Sequence, residues 1–371
     1  MLQLPSLLNN MNNSSSPFFT IRSSRESDQE LVVRLYAVLP LFVVFVFMVS
    51  CSPATEPVVT QDITPFVMNL PQGFPALAVP DYEQPMTRAK VELGRKLFAD
   101  PILSVNGTVA CATCHQAQNG FTAPVPVPAG VFGRRGLRNA PTLTNVAYNR
   151  SFFWHGGSVN LQAQALSSLE NEDEMGNEAD NIVRSLRAHG EYPRLFRRAF
   201  GKEVDILSVL DAIAAFERTL ISGNSRYDRF ERGDKSALNA SEERGRALFF
   251  SSRTECASCH AGFNFTSGGF EDNGSQGSQY VDLGRYMMTA NDHDKGKFKV
   301  PTLRNVERTA PYFHNGAFPT LESVVAHYNA GGKSSPNQSS RVKPLGLTAE
   351  EQQDLVNFLK ALTDEEFLRP L

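Results

Sequence analysis

The sequence predicts a mostly α-helical chain built from two like units, and three observations predict it. A Cys-x-x-Cys-His motif occurs as Cys111-Ala112-Thr113-Cys114-His115 and again as Cys256-Ala257-Ser258-Cys259-His260. The flanks repeat as well. Glu92-Leu93-Gly94-Arg95-Lys96-Leu97-Phe98 ahead of the first motif is echoed by Glu243-Arg244-Gly245-Arg246-Ala247-Leu248-Phe249 ahead of the second, and Pro141-Thr142-Leu143-Thr144-Asn145-Val146 by Pro301-Thr302-Leu303-Arg304-Asn305-Val306. Between these landmarks apolar residues recur at helical spacing, and no convincing alternating run marks a strand. Repetition of this kind argues for two copies of one small unit packed together.

Cys-x-x-Cys-His is the attachment signature of a c-type haem. Two thiols form thioethers to the haem vinyl groups, and the adjoining histidine reaches the iron as proximal ligand. A structural zinc site would gather its four Cys and His ligands into one cluster, whereas here each distant copy carries its own histidine. A thioredoxin-like redox pair would need a βαβ surrounding, which the flanks lack. Two covalent haems follow, on Cys111, Cys114 and His115 and on Cys256, Cys259 and His260. A unit of helix, motif, long wrapping loop and closing helix is what a cytochrome c fold requires.

The 371 residues leave room for two ordinary domains. Apolar residues make up 41% and charged residues 20%, an ordinary globular balance, and the net charge of −3 suggests no nucleic acid partner. Four of the five cysteines lie in the motifs, leaving Cys51. Leu35 to Val49 is an uncharged run of 15 residues after Arg34, the length of a signal-peptide core and short for a membrane span. Met48-Val49-Ser50-Cys51 resembles a bacterial lipobox, whose cysteine becomes the lipidated mature N-terminus, and Ser52 suits the outer-membrane-directed kind. The rival reading is an uncleaved anchor helix. Either places the haem domains outside the cytoplasm, in the periplasm. Residues 1–50 thus read as a leader, in which the polar, unpatterned stretch 1–30 leaves room for an over-long start.

Residues 51–85, rich in Pro and Thr, form a tether, and 86–225 the first haem domain. Thr87 to Phe98 has an amphipathic helical pattern. Gln118 to Asn139, rich in Gly and Pro, is loop. Ser158 to Leu169 and Ile182 to Phe200 look helical, and Val209 to Ile221 closes the unit. Asn224 to Ala240 is a polar join into the second domain, 226–371, which Asp354 to Leu362 closes.

Two such domains, with PTLTNVAYNRSFFWHGG in the first and PTLRNVERTAPYFHNG in the second, resemble the bacterial di-haem cytochrome c peroxidase family, in particular its MauG-type branch. The likeness runs from about Leu70 to Leu362. It implies that the N-terminal haem reacts with hydrogen peroxide, that the C-terminal haem passes or stores electrons, and that a calcium ion sits between them. Trp154, the sole tryptophan, falls at the family's position between the haems. Gln164 and Glu174 fall at its distal-pocket glutamine and glutamate. Asn139, Thr309 and Pro311 fall at its calcium site, the last two through main-chain carbonyls. Two departures stand out: His155 replaces the aspartate of an FWDG run, and Ser168 stands where proline is common.

Glu174 is the expected acid/base, because a carboxylate can accept the first peroxide proton and return it to the departing oxygen. Gln164 can only orient by hydrogen bonding, since an amide does not titrate. In many family members a loop histidine caps the first haem. None of the seven histidines lies between 115 and 155, so an open sixth position, as in the MauG type, is expected, with His155 as the alternative cap. For the second haem, counting from Thr320-Leu321 places the opposite ligand at Tyr328, ahead of His327, Met287 and Met288. A phenolate oxygen favours ferric iron, whereas a thioether favours ferrous.

The reading is a periplasmic peroxidase that draws electrons from a cytochrome c or cupredoxin and touches the membrane by a lipid anchor only. One rival is a MauG-like enzyme oxidising residues of a partner protein. Phe263-Asn264-Phe265-Thr266 resembles a branch that oxidises a partner's tryptophan. Another is a plain di-haem electron carrier.

Overall fold

The computed structural model describes residues 59–77 and 85–369. The leader and Cys51 lie outside the described residues. Among the latter, no helix is long and apolar enough to cross a membrane.

Helix α1, Arg88–Ala99, starts where the Thr87 side chain accepts from the Lys90 N–H, and it buries Val91, Leu93, Leu97 and Phe98. It crosses α6, Ile206–Glu217, an almost wholly buried helix capped by Asp205. The crossing is close because of Gly94. A Cβ there would lie 1.8 Å from the Ala212 carbonyl oxygen and 2.9 Å from Phe216 Cβ. The second half repeats the device. Helix α8, Ala240–Phe249, crosses α12, Ala349–Lys360, and a Cβ on Gly245 would lie 1.9 Å from the Asp354 carbonyl oxygen. The echoed Glu-x-Gly segment is therefore a helix-crossing signature: glycine lets two backbones approach where any side chain would hold them apart.

Between α1 and α6 run the one-turn α2, Cys111–Cys114, then α3, Leu161–Glu170, α4, Ala179–Ala188, and α5, Tyr192–Phe200. The predicted single helix over 182–200 is thus two, interrupted at His189–Glu191, with Pro193 in the first turn of α5, where its missing N–H costs nothing. The other predicted helices shift by a few residues. Ser158 to Leu169 becomes Leu161–Glu170 behind an Asn160 cap, Val209 to Ile221 begins at Ile206, and Asp354 to Leu362 begins at Ala349 behind Thr348. The predicted polar join contains α7, Arg226–Glu231, started by a Ser225/Asp228 capping box. The second half adds α9, Cys256–Cys259, α10, Tyr286–Thr289, and α11, Leu321–Asn329. Strands β1, Phe270–Glu271, and β2, Phe298–Lys299, pair antiparallel.

Buried apolar side chains gather around α1 and α6 on one side and around α8 and α12 on the other. The two halves meet through polar groups. Asn145 Nδ2 donates to the Ser222 carbonyl and to Asn264 Oδ1, both at 3.0 Å, and Asn145 Oδ1 accepts from the Ser222 N–H at 2.8 Å. Its repeat partner Asn305 donates to Ser222 Oγ at 3.0 Å and accepts from the Asp364 N–H at 2.8 Å. The Asp364 carboxylate takes the N–H groups of Gly223 and Asn224 at 3.0 and 2.9 Å.

Gly94→Ala and Gly245→Ala should each destabilise the folded protein by about 1–3 kcal/mol through overpacking. Thermal unfolding should show a loss of several degrees for either variant. An unchanged midpoint would mean that the helix pairs can part without cost.

Candidate active site

Each motif occupies one helical turn, so its two sulfurs, three residues apart, lie on the same side of that turn. In α2 the His115 N–H donates to the Cys111 carbonyl at 2.9 Å, and in α9 the His260 N–H donates to the Cys256 carbonyl at the same distance. The imidazoles are aimed identically. His115 Nδ1–H donates to the Phe121 carbonyl at 2.9 Å, and His260 Nδ1–H to the Phe265 carbonyl at 3.0 Å. Phe121 and Phe265 adopt positive φ, 59° and 47°, where their carbonyls turn inward. With the proton held on Nδ1, the Nε2 lone pair is left for a metal. Burial pushes both histidines below the ordinary imidazole range, against the backbone bonds, so both rings are neutral.

Around the second motif lies a cavity of about 250 Å³, whose walls include Cys256, His260, Trp154, Lys299 and Tyr328. Desolvation pulls the Lys299 ammonium down to about 8, and it has no partner among the described residues. An apolar-walled cavity with two free thiols, an unpaired imidazole nitrogen and an unneutralised cation fits a flat apolar ring bearing carboxylates. The donor sets therefore fit a covalent haem at each motif, and Lys299 would face a carboxylate of the second.

Tyr328, on α11, lines this cavity, and burial raises its phenol to about 12. Asn273 Nδ2 donates to its hydroxyl at a long 3.5 Å. The neighbouring His327 is used elsewhere: its Nε2–H donates to the Asn273 carbonyl at 2.9 Å, and its ring packs against Phe313 and Phe318. Met287 and Met288 stand exposed on α10, away from the cavity. Of the four side chains considered for this position, the fold brings only Tyr328 to the cavity that holds His260.

Trp154 is clamped at the same cavity between the halves. Its Nε1–H donates to the Asn139 carbonyl at 2.9 Å, and its own carbonyl accepts the Lys299 N–H at 2.7 Å. Asn139 in turn donates its backbone N–H to the His314 carbonyl at 2.7 Å and its side-chain amide to the Val125 and Pro126 carbonyls at 3.1 Å. Thr309 and Pro311 line the cavity beside it. His155 sits in a seam between the halves. Arg138 Nη1 donates to its Nδ1 at 2.5 Å while holding Asp282 with two bonds at 2.7 and 2.8 Å. Burial and the Arg138 charge bring its pKa down to about 4, so it stays neutral.

The first motif faces a different set. Gln164 and Ser168 are one turn apart on α3, and Gln164 Nε2 donates to Ser168 Oγ at 3.1 Å. After α3 the chain turns back through Asn171, whose carbonyl accepts the Glu174 N–H at 2.9 Å and whose amide donates to Glu174 Oε1 at 2.8 Å. Ser168 lies close enough to Glu174 to favour its ionised form. The Glu174 carbonyl is pinned by the Val131 N–H at 2.8 Å. Gly130 permits that approach, since a Cβ there would fall 2.4 Å from the same oxygen. Glu170, Glu172 and Asp173 stand in solvent, whereas Glu174 is half-buried and close enough to influence the thiol of Cys114. Burial raises its pKa above the ordinary carboxylate range, opposed by Ser168 and Asn171. Sequence reasoning missed Lys299, Asn171 and Asn273. It noticed Ser168 only as a departure, although its place four residues after Gln164 on a predicted helix was a signal.

Residues 88–236 match the family described as di-haem cytochrome c peroxidase, and residues 242–363 match cytochrome c. The methylamine utilization protein MauG of Methylorubrum extorquens is 39% identical over 284 residues, covering 76% of this chain and 80% of that one. The chain belongs to the di-haem cytochrome c peroxidase family. A cytochrome-c peroxidase of Denitromonas iodatirespirans is 36% identical over 326 residues, spanning 79% of this chain and 86% of its own. Among solved structures, a MauG-like protein associated with microbial copper homeostasis superimposes with a TM-score of 0.77 at 32% identity, over 82% of this chain and 97% of that one. As a di-haem family member the chain carries two c-type haems, one for each motif.

Replacing Tyr328 with Phe should change the absorption and magnetic-resonance signals of one haem and leave the other as in wild type, with two covalent haems per chain retained. Unaltered spectra would remove Tyr328 from the second haem's surroundings.

Proposed function

We propose that this di-haem peroxidase reduces hydrogen peroxide to two waters at the first motif, consuming two protons and two electrons from a protein donor such as a small cytochrome c or a cupredoxin. The observation that carries the reading is Glu174: a half-buried carboxyl near the thiols of the first motif. Haem bound there supplies an iron that exchanges single electrons. Glu174 takes the proton from one peroxide oxygen and returns it to the departing one. Gln164 orients peroxide through its amide without titrating. The loop between His115 and the Trp154 segment contributes no histidine, and Arg138 keeps His155 away, so no side chain of that stretch competes with peroxide. Trp154, fixed between the halves, offers an oxidisable indole for single-electron exchange between the two haem sites. Tyr328 would be the second haem's other ligand, an anionic oxygen that stabilises ferric iron.

Asn139 Oδ1 and the carbonyls of Thr309 and Pro311 would hold a calcium ion. Spending the Asn139 amide nitrogen on Val125 and Pro126 leaves its oxygen directed elsewhere, and neutral oxygens suit a hard cation. A second reading is favoured by the identity to MauG and by the placement of Tyr328: oxidation of side chains on a partner protein. The mature protein would act in the periplasm, anchored to the outer membrane through lipidated Cys51.

Peroxide-dependent oxidation of reduced cytochrome c by the holoprotein is the deciding measurement. Glu174→Gln keeps the shape but removes the titrating group and should lower kcat/KM for peroxide by about 10²–10⁴-fold. Because burial raises the Glu174 pKa and a base must be deprotonated to act, wild-type activity should fall on acidification at a higher pH than a solvated carboxylate would give. A Glu174→Gln enzyme as fast as wild type would refute the assignment. Peroxide consumption without cytochrome c oxidation, but with covalent change in a partner protein, would select the second reading. Cys51→Ser should release the protein from membranes or leave an unprocessed precursor. Normal processing and membrane attachment of that variant would exclude the anchor.

A further inference from the structure

We propose that Phe74, on the N-terminal segment 59–77, is a positioning residue for the second haem: its ring closes over the buried Arg304–Asp228 pair, and that pair fixes the turn whose carbonyl aims His260. Such a role requires a haem on the second motif but not the peroxide chemistry.

The segment has the Pro and Thr content of a tether, yet it lies packed along the fold. At one end the Asp62 N–H donates to the Arg198 carbonyl at 2.7 Å, and the Asp62 carboxylate pairs with the Arg198 guanidinium at 3.0 Å. Farther on, the Phe66 N–H donates to the Met86 carbonyl and the Arg88 N–H to that of Thr64, both at 2.9 Å. At the other end the Tyr148 hydroxyl donates to the Pro75 carbonyl at 2.9 Å. Gly223 lets the segment lie close, since a Cβ there would fall 2.4 Å from Pro71 Cγ and 2.9 Å from Phe74 Cζ. Phe74 is thus delivered to a fixed place, its ring centre 4.7 Å from that of Phe263 and 6.1 Å from that of Tyr148.

Beneath Phe74 lies Arg304, whose side chain is 2% exposed. Its Nη1 and Nη2 each donate to one Asp228 oxygen at 2.9 Å, and its Nε donates to the Phe263 carbonyl at 2.7 Å. A buried pair of charges is tolerated only where the geometry is good and further hydrogen bonds satisfy the remaining groups. The next carbonyl, of Asn264, accepts from Thr302 Oγ1 at 2.7 Å, and the one after, of Phe265, accepts from His260 Nδ1 at 3.0 Å. Successive carbonyls of the turn are therefore held, and the last of them aims the imidazole. Arg304 Cζ sits 4.9 Å from the Phe74 ring centre, a distance at which a ring face attracts a cation. Phe74 touches both partners of the Arg304–Phe263 bond and covers it. The position that repeats Arg304 in the first half is Thr144, so the turn that aims His115 is held without an ion pair. The effect belongs to one haem.

The test is a redox titration of the holoprotein, with electron paramagnetic resonance following the two ferric haems. A firmly held acceptor on Nδ1 makes the imidazole a stronger donor and favours ferric iron, so loosening the turn should raise one potential. F74A should change the ferric-to-ferrous ratio of one haem by roughly tenfold at fixed potential, about 59 mV upward for a one-electron couple, and leave the other haem as in wild type. F74Y, which keeps the ring, should stay near wild type. R304K keeps the charge but loses the fork, and it should shift the same haem at least as far. F74A/R304K should go no further than R304K, because the ring acts through the guanidinium. If R304K does not retain two haems, F74A against F74Y still decides. Unchanged potentials in F74A, even with a lower melting temperature, would overturn the proposal. So would equal shifts of both haems, a shift in F74Y equal to that in F74A, or F74A and R304K acting on different haems.

Discussion

The two halves of the molecule are registered by a buried knot of side-chain amides, a serine and one carboxylate. Asn145 and Asn305 are the repeat-related members, both wholly buried and both at left-handed φ, 55° and 61°. Asparagine tolerates that backbone region better than most side chains, and its amide can donate and accept at once. Across the junction Asn145 donates to Asn264 and Asn305 donates to Ser222, while each amide oxygen accepts a backbone N–H of its own half, from Ser222 and from Asp364. Leaving any one of these buried groups unpaired would cost about 1–3 kcal/mol. An apolar interface could slide by a residue at little cost; this one cannot. The placement of Trp154 against Lys299 and of Asn139 against His314 depends on that register.

Within the registered pair, the repeat supplies the same frame twice and different furnishings. The shared frame is one helical turn, two thiols, and an imidazole aimed by a carbonyl of a positive-φ phenylalanine. What differs is the wall opposite. Near the thiols of the first motif stands the Glu174 carboxyl, which on the proposed reading moves protons. In the cavity of the second stand a phenol and an unpaired ammonium, groups that ligate and neutralise. On the proposed reading, a proton-handling wall beside one motif and a ligating, charge-neutralising wall beside the other would divide peroxide reduction into two tasks. A pure electron carrier would have no use for a half-buried titratable carboxyl.

Much of this was legible in the sequence, because covalent attachment demands a contiguous motif. The motifs, their spacing and the echoed segments around Gly94 and Asn145 marked both haem sites and the repeat. Helix ends were less legible, since caps such as Asn160 and Thr348 are single residues whose role depends on the turn before them. The break at His189–Glu191 was hidden because apolar spacing continues through it on both sides. Long-range partners were illegible for a different reason. Lys299 meets Trp154, and Asn273 meets Tyr328, only after loops of many residues have closed, and nothing local in composition records that. Glu174 was distinguishable from Glu170, Glu172 and Asp173 only by family resemblance; its partial burial sets it apart from those three in the fold.

The departure at His155 is absorbed by the seam beside the knot. A carboxylate in its place would face Arg138 directly; the neutral imidazole instead accepts from Arg138, while Asp282 from the second half provides the negative charge. Phe298 lies between, with Arg138 over one part of its ring and His314 stacked at 3.7 Å with an interplanar angle of 8°. Arg285 of the second half closes on the His155 and Gly156 carbonyls at 3.1 Å. The negative charge facing Arg138 is thus supplied from across the junction, in a bond between halves beside the segment that carries Trp154. On the proposed reading, in which Trp154 carries single electrons between the two sites, the seam would serve the same end as the amide knot: it would hold constant the gap that electrons must cross.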